Sequence, residues 1–163
     1  MRSPVGEPCR VSVITPVRNG VTSIAAALDS ILAQSHHSLE LVVVDGRSHD
    51  GTVEVIRQRT NRIAWWVSEP DRGISHAFNK GLAQAHGDII GILNADDCYA
   101  SDAVARAVAT LRDHPEAGGR LFREKGRGKY NDLLDAIRII QKLPDRTHLQ
   151  RSDSFRRFEQ KLV

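Results

Sequence analysis

Over the first two thirds of the chain, short uninterrupted apolar runs alternate with segments whose apolar residues recur at helical spacing. Arg10-Val11-Ser12-Val13-Ile14-Thr15 is a β-branched run closed by Pro16, the pattern of a buried strand and its exit. Ile24, Leu28, Ile31 and Leu32 then fall on one stripe of a helix over residues 21–32, with Thr22 or Ser23 available as its cap. The cycle repeats three times. Strands are predicted over 39–44, 63–68 and 88–93, each followed by a loop and then by helices over about 53–59, 74–85 and 101–112. The valine run Val42-Val43-Val44 is what a central parallel strand, covered on both faces, requires. Four strand-then-helix units predict an α/β fold with a mostly parallel sheet and right-handed crossovers. All the polar loops after the strands then open on one edge, where such sheets have their crevice.

That edge collects Thr15, Pro16, Asn19, Asp45, Ser48, Asp50, Asp71, Asn94, Asp96 and Asp97. A phosphate site made only of peptide amides needs no such set of carboxylates, whereas a divalent cation bridging to a diphosphate does. Asp45 can accept hydrogen bonds from a base or ribose, and Lys80 can face phosphate oxygens. Plainer roles stand beside these. Asp45-Gly46 and Asp50-Gly51 are also ordinary turn and capping pairs. Asp96-Asp97 could cap the helix starting near Ser101, but Ser101 and Asp102 already offer caps, and adjacent carboxylates repel unless a cation offsets them. The seven histidines show no ligand spacing. Trp65 and Trp66 face opposite sides of a strand, so at least one ring belongs to the core.

Composition narrows the class. At 163 residues and 40% hydrophobic the chain supports one domain, and no apolar run approaches the roughly 20 residues of a spanning helix. Cys9 and Cys98 lack metal-ligand spacing and are expected to be reduced, and no signal peptide precedes them, so a cytoplasmic protein is expected. The net charge of +3 is unevenly spread: residues 1–119 carry 11 basic and 14 acidic side chains, residues 120–163 carry 12 and 6. Residues 119–163 therefore read as a basic, divergent tail, a solvated segment able to associate peripherally with the inner face of a membrane; no nucleic acid is expected as a partner. Within it, Tyr130 to Leu143 is predicted as an amphipathic helix ended by Pro144, and no further sheet strand is predicted after the Asn94–Asp97 loop.

Five segments, in order, carry a resemblance. Val13-Ile14-Thr15-Pro16-Val17-Arg18-Asn19, Asp45-Gly46-Arg47-Ser48-His49-Asp50-Gly51-Thr52, Glu69-Pro70-Asp71-Arg72-Gly73-Ile74, Asn79-Lys80-Gly81 and Leu93-Asn94-Ala95-Asp96-Asp97 resemble the successive motifs of the family 2 glycosyltransferases. The resemblance implies the GT-A fold, a Rossmann-like three-layer α/β/α sandwich, here truncated, with a nucleotide-sugar-binding domain over 1–118. It implies nucleotide contacts from Thr15, Pro16, Val17, Asn19, Asp45 and Ser48, and from Asp71, Gly73, Asn79, Lys80, Asn94 and Asp96. It places Mg²⁺ or Mn²⁺ on Asp96 and Asp97, with Asn94 standing where the Asp-x-Asp motif has its first carboxylate. The implied reaction is inverting transfer of a sugar from a nucleotide-sugar donor, a UDP-sugar foremost, to a hydroxyl of a glycan or lipid-linked acceptor. Polysaccharide or cell-envelope glycan synthesis is the implied setting. The general base belongs to the part of such domains that this chain does not match, and no residue is assigned to it. The alternative is a nucleotide-diphosphate-binding remnant or interaction module without turnover.

Overall fold

A computed structural model describes residues 9–113 and the backbone of residues 140–141. The four apolar runs form β1 (Val11–Val17), β2 (Leu39–Asp45), β3 (Trp65–Ser68) and β4 (Ile89–Ile92). Between and after them lie α1 (Ile24–Leu32), α2 (Thr52–Arg57), α3 (Ile74–Gln84) and α4 (Ala103–Asp113). A 3₁₀ turn at Thr60–Arg62, which the hydrophobic pattern does not announce, leads into β3. The sheet order is β3-β2-β1-β4-β5, with β5 at Ile140–Gln141 and β1 to β4 parallel.

The continuous apolar runs are explained by two cores. Val11, Val13 and Val17 of β1 and Leu41 and Val43 of β2 pack with α1, α2 and α4, while Ile14 and Val42 pack with Phe78 of α3 on the opposite face. A strand with both faces covered has no polar alternation to show. Trp66 packs against the first core and Trp65 against the second, as their alternation requires. On the α3 face the approach is close: a Cβ on Gly81 would lie 2.4 Å from Ile14 Cγ2, so glycine lets this helix rest flush on β1.

Two elements differ from the pattern's forecast. Strand β1 runs through Pro16 to Val17 instead of ending before it. Val11 N and Val17 O bond toward β2 while Ile14 O accepts from Leu93, so even-numbered peptides of β1 face β4. Pairing with β4 stops at Ile14–Ile92, and the N–H that Pro16 lacks therefore has no ladder to complete. The second difference is β5 (Ile140–Gln141), antiparallel to β4, where the sequence pattern predicts helix and no further strand. A two-residue segment is too short to show either periodicity, and the exposed N–H and C=O groups along β4 favour pairing. The remainder of the predicted Tyr130–Leu143 helix and of the basic 119–163 tail lies outside the described residues. Among the described residues, no helix is long and apolar enough to cross a membrane.

The end of the sheet away from the strand exits is locked by a buried carboxylate. Glu40, 5% exposed, accepts from the Ser12 hydroxyl, from His86 N at 2.5 Å and from Arg10 at 2.6 Å, while Gly87 N donates to Ser12 Oγ at 2.7 Å. The neighbouring chain comes so close that a Cβ on Gly87 would meet Ser12 N at 2.5 Å. Burial raises the Glu40 pKa, but the hydrogen bonds from Ser12 and His86 and the charge of Arg10 outweigh it and hold the carboxyl below its ordinary range.

Candidate functional site

Register brings the first three exits level: Val17, Asp45 and Ser68 are partners across β1, β2 and β3. Asp45 is fully buried, and its carboxylate accepts from Ser48 N at 3.0 Å, from the Ser48 hydroxyl and from Ser68 Oγ at 2.6 Å. It thus organises the β2 exit from below the surface. Ser68, which completes this cluster, is absent from the sequence motifs because only the β2–β3 register reveals it. Thr15, also expected at the site, is fully buried, and its Oγ1 has no hydrogen-bond partner. Pro16 and Val17 are buried just above it.

The β1 and β2 loops are laced together. Asn19 adopts a left-handed φ of 51°, which asparagine tolerates. Its N–H donates to Ser48 Oγ at 2.7 Å, and its Oδ1 accepts from His49 N at 2.9 Å. Gly20 N donates to Thr52 Oγ1 at 2.9 Å, and Val21 N to Asp50 Oδ2 at 3.0 Å. Asp50 also accepts from Thr52 N and Oγ1, and these bonds, that from the hydroxyl first, hold its carboxyl low. Asp50 therefore does the turn and capping work its sequence context allows. Arg47, with φ 58°, is the other non-glycine residue in left-handed backbone among the described residues and sits exposed at the same exit.

Asp71 leans over this lacing. A Cβ at Gly46 would lie 2.4 Å from Asp71 Oδ2 and 3.4 Å from Arg18 Cβ, so the absent side chain at Gly46 lets the third-loop carboxylate come down onto the β2 exit. Its Oδ1 accepts from Gly73 N at 2.9 Å, and Gly73 turns the chain into α3 with φ 107°. Asn79 is exposed on α3. Lys80 does not point at open space: its Nζ lies 2.8 Å from Glu69 Oε1 and donates to the Pro70 carbonyl at 2.9 Å.

The β4 exit completes the edge. Asp97 N donates to Asn94 O at 3.1 Å, a tight turn that leaves Asp96 exposed and Asp97 7% exposed. Asn94 Nδ2 reaches Asp97 Oδ2 at 3.4 Å, so Asn94 Oδ1 is the amide atom left to accept or ligate. Burial first, and the Asp97 charge second, push the Tyr99 hydroxyl up; that hydroxyl donates to Ile92 O at 3.0 Å. Gln34 caps the start of α4, accepting from Val104 N at 2.9 Å while its own amide holds Ala100 O at 2.6 Å. The turn also meets the β1 loop, since a Cβ on Gly20 would be 3.7 Å from Ala95 Cβ.

Among the described residues no three His, Cys, Asp or Glu side chains group as a metal site. The donors here are one exposed carboxylate, one amide oxygen and one buried carboxylate behind them. That set fits Mg²⁺ or Mn²⁺ shared with a ligand's phosphates, because such ions take one or two protein carboxylates and complete an octahedron with phosphate oxygens and water. A separate concavity of about 590 Å³ lies between α2 and β3, walled by Ser48, His49, Glu54, Arg57, Trp66 and Ser68. It touches the Asp45 cluster but not Asp71, Asn94 or Asp96.

Comparison with known proteins agrees with this arrangement. The family model described as glycosyl transferase family 2 matches residues 12–159. A putative teichuronic acid biosynthesis glycosyltransferase of Bacillus subtilis is 35% identical over 106 residues, 63% of this chain and 42% of that protein. The chain spans about two fifths of the length of the curated relatives it matches. A mannosyltransferase from Pyrobaculum calidifontis, solved with GDP-Man and Mn²⁺, shares 38% identity at a TM-score of 0.61, over 67% of this chain and 34% of that one. TarS residues 1–349 of Staphylococcus aureus, solved with UDP-GlcNAc, shares 26% identity at a TM-score of 0.64, over 75% and 37%. With four parallel strands between helical layers and a family match over most of its length, the chain belongs to glycosyl transferase family 2 and has the GT-A fold.

Proposed function

We propose that this edge binds a nucleoside diphosphate sugar together with Mg²⁺ or Mn²⁺, and that the protein transfers the sugar with inversion to an acceptor hydroxyl in polysaccharide or cell-envelope glycan synthesis. The observation that carries this is that Asp71 lies over Gly46 at one end of the edge and exposed Asp96 with half-buried Asn94 at the other, on either side of the β1 exit. The first end suits a nucleoside, whose N–H and O–H groups a carboxylate accepts. The second suits a metal-bridged diphosphate. The solved relatives with GDP-Man and Mn²⁺ and with UDP-GlcNAc support the donor class, and the teichuronic acid relative supports the setting.

The divalent ion, when bound, would offset charge developing on the departing diphosphate. Asp96 and Asp97 would hold it, with the Asn94 amide in support beside Asp97. The buried Asp45–Ser48–Ser68 cluster and the Asn19 bonds keep the loops in place before ligand arrives, so little ordering is required at binding. Inverting displacement also needs a carboxylate to take the acceptor's proton, and no described residue is assigned that role.

Nucleotide release tests the proposal. Incubated with Mn²⁺ and UDP- or GDP-sugars, the protein is expected to release UDP or GDP above the enzyme-free rate. Saturable binding without release would select instead a nucleotide-binding module without turnover. Neither binding nor release would overturn both.

A further inference from the structure

Lys80 lies in the segment whose sequence suggests a phosphate contact, yet its ammonium is already engaged. Its side chain is 16% exposed, and it bridges Glu69 Oε1 at 2.8 Å and the Pro70 carbonyl at 2.9 Å. Both partners immediately precede Asp71. The helix that carries Lys80 is held rigidly, with Ala77 and Phe78 buried and Gly81 flush against Ile14. The loop's start is tied to the sheet by Glu69 N donating to Asp45 O at 3.0 Å, and its end by Gly73 N donating to Asp71 Oδ1 at 2.9 Å. Arg72 N donates to His76 Nδ1 of α3 at 3.2 Å on the far side of Asp71, and on the near side the Lys80 bridge links the Glu69 carboxylate and the Pro70 carbonyl to α3.

We propose that Lys80 is a positioning residue: it clamps the 69–73 loop to α3 so that the Asp71 carboxylate stays over Gly46, and it does not bind phosphate. An ammonium has three donors, and two are spent on the loop. Redirecting it to a phosphate would release the Pro70 carbonyl and the ion pair that hold Asp71 in place. The inference rests on the donor-site reading for its ligand but not for its loop contacts.

Two variants and a phosphate series separate the alternatives. Lys80→Met is expected to weaken uridine, UMP and UDP by the same factor, about tenfold, which corresponds to roughly 1.4 kcal/mol, in chemical-shift titrations. Glu69→Gln, which leaves the ammonium free to reach phosphate, is expected to weaken all three as well. In the nucleotide-free protein, amide exchange at Gly73 should accelerate in both variants while β1 and β2 amides keep their protection, and Lys80→Arg should restore the wild-type rate. A loss in Lys80→Met that grows from uridine to UDP, tighter UDP binding in Glu69→Gln, or unchanged exchange at Gly73 would overturn the proposal. If the wild type binds none of the three ligands, the donor-site reading fails, and the exchange data still decide the clamp.

Discussion

Asp96→Ala is expected to remove the metal-dependent part of nucleoside diphosphate binding and leave the fold intact. Asp96 is exposed at the tip of the turn that Asp97 N closes on Asn94 O, so truncating it empties no core. Surface substitutions of that kind usually stay within about 0.5 kcal/mol of wild-type stability. The ligand side is different. With so few protein donors at the β4 exit, losing the exposed carboxylate leaves an amide oxygen and a buried carboxylate to hold the ion. Loss of even an outer partner commonly costs a metal site on the order of 10- to 100-fold, and a direct ligand should cost at least the upper figure. Calorimetric titration of UDP and GDP with and without Mn²⁺ measures it: the Mn²⁺-dependent gain seen in wild type should vanish, with metal-free affinity unchanged. Asp97→Ala should differ in kind, lowering thermal stability because that carboxylate is buried behind Asn94. A full Mn²⁺-dependent gain in Asp96→Ala would remove Asp96 from the site.

Glu40→Ala should produce the largest loss of stability of any single polar substitution considered, about 2–3 kcal/mol, because it orphans the Ser12 hydroxyl and the His86 amide in a buried setting. Arg10 adds less, since its side chain is 52% exposed and can return to water. For a domain of this size that is a fall of roughly 10–20 °C in Tm. The same group gives a pH signature. Its folded pKa lies below the ordinary value of 4.5, so its contribution is complete above that value and is lost as pH falls through the depressed folded pKa. Asp29, held low chiefly by its hydrogen bond from Arg59, acts in the same direction, so the difference between wild type and Glu40→Gln isolates Glu40. That difference should shrink as pH falls below about 4. Equal Tm values for wild type and Glu40→Ala would contradict the buried network.

The parts of this protein visible in its sequence are those written in local pattern. Uninterrupted valines gave β2, the Ile24-Leu28-Ile31 stripe gave α1, and the order of acidic loops placed the edge. Features set by pairing between distant segments were not visible. The burial of Asp45 and its bond from Ser68 depend on the β2–β3 register, which no local motif displays. The ion pair of Lys80 with Glu69, at 2.8 Å, exists only once α3 has folded back over the loop before it. Strand β1 passes Pro16 because β4 has already ended, a fact about a strand more than 70 residues away. Local pattern was ambiguous at Ile140–Gln141, where two residues fit helix or strand and pairing with β4 decided for strand.

The central claim, that a metal-bound nucleotide lies across the β1, β2 and β4 exits with its ion beside Asp96, is tested most directly by paramagnetic broadening. In ¹⁵N-labelled protein with UDP or GDP and substoichiometric Mn²⁺, amides of residues 94–97 should broaden first, followed by 18–20, 46–48 and 71–73. Along β1 the effect should fade from Val17 toward Val11, since seven strand residues span roughly 23 Å at about 3.3 Å each. Broadening that requires no nucleotide, or that centres on Glu40 and His86 at the far end of the sheet, would contradict it.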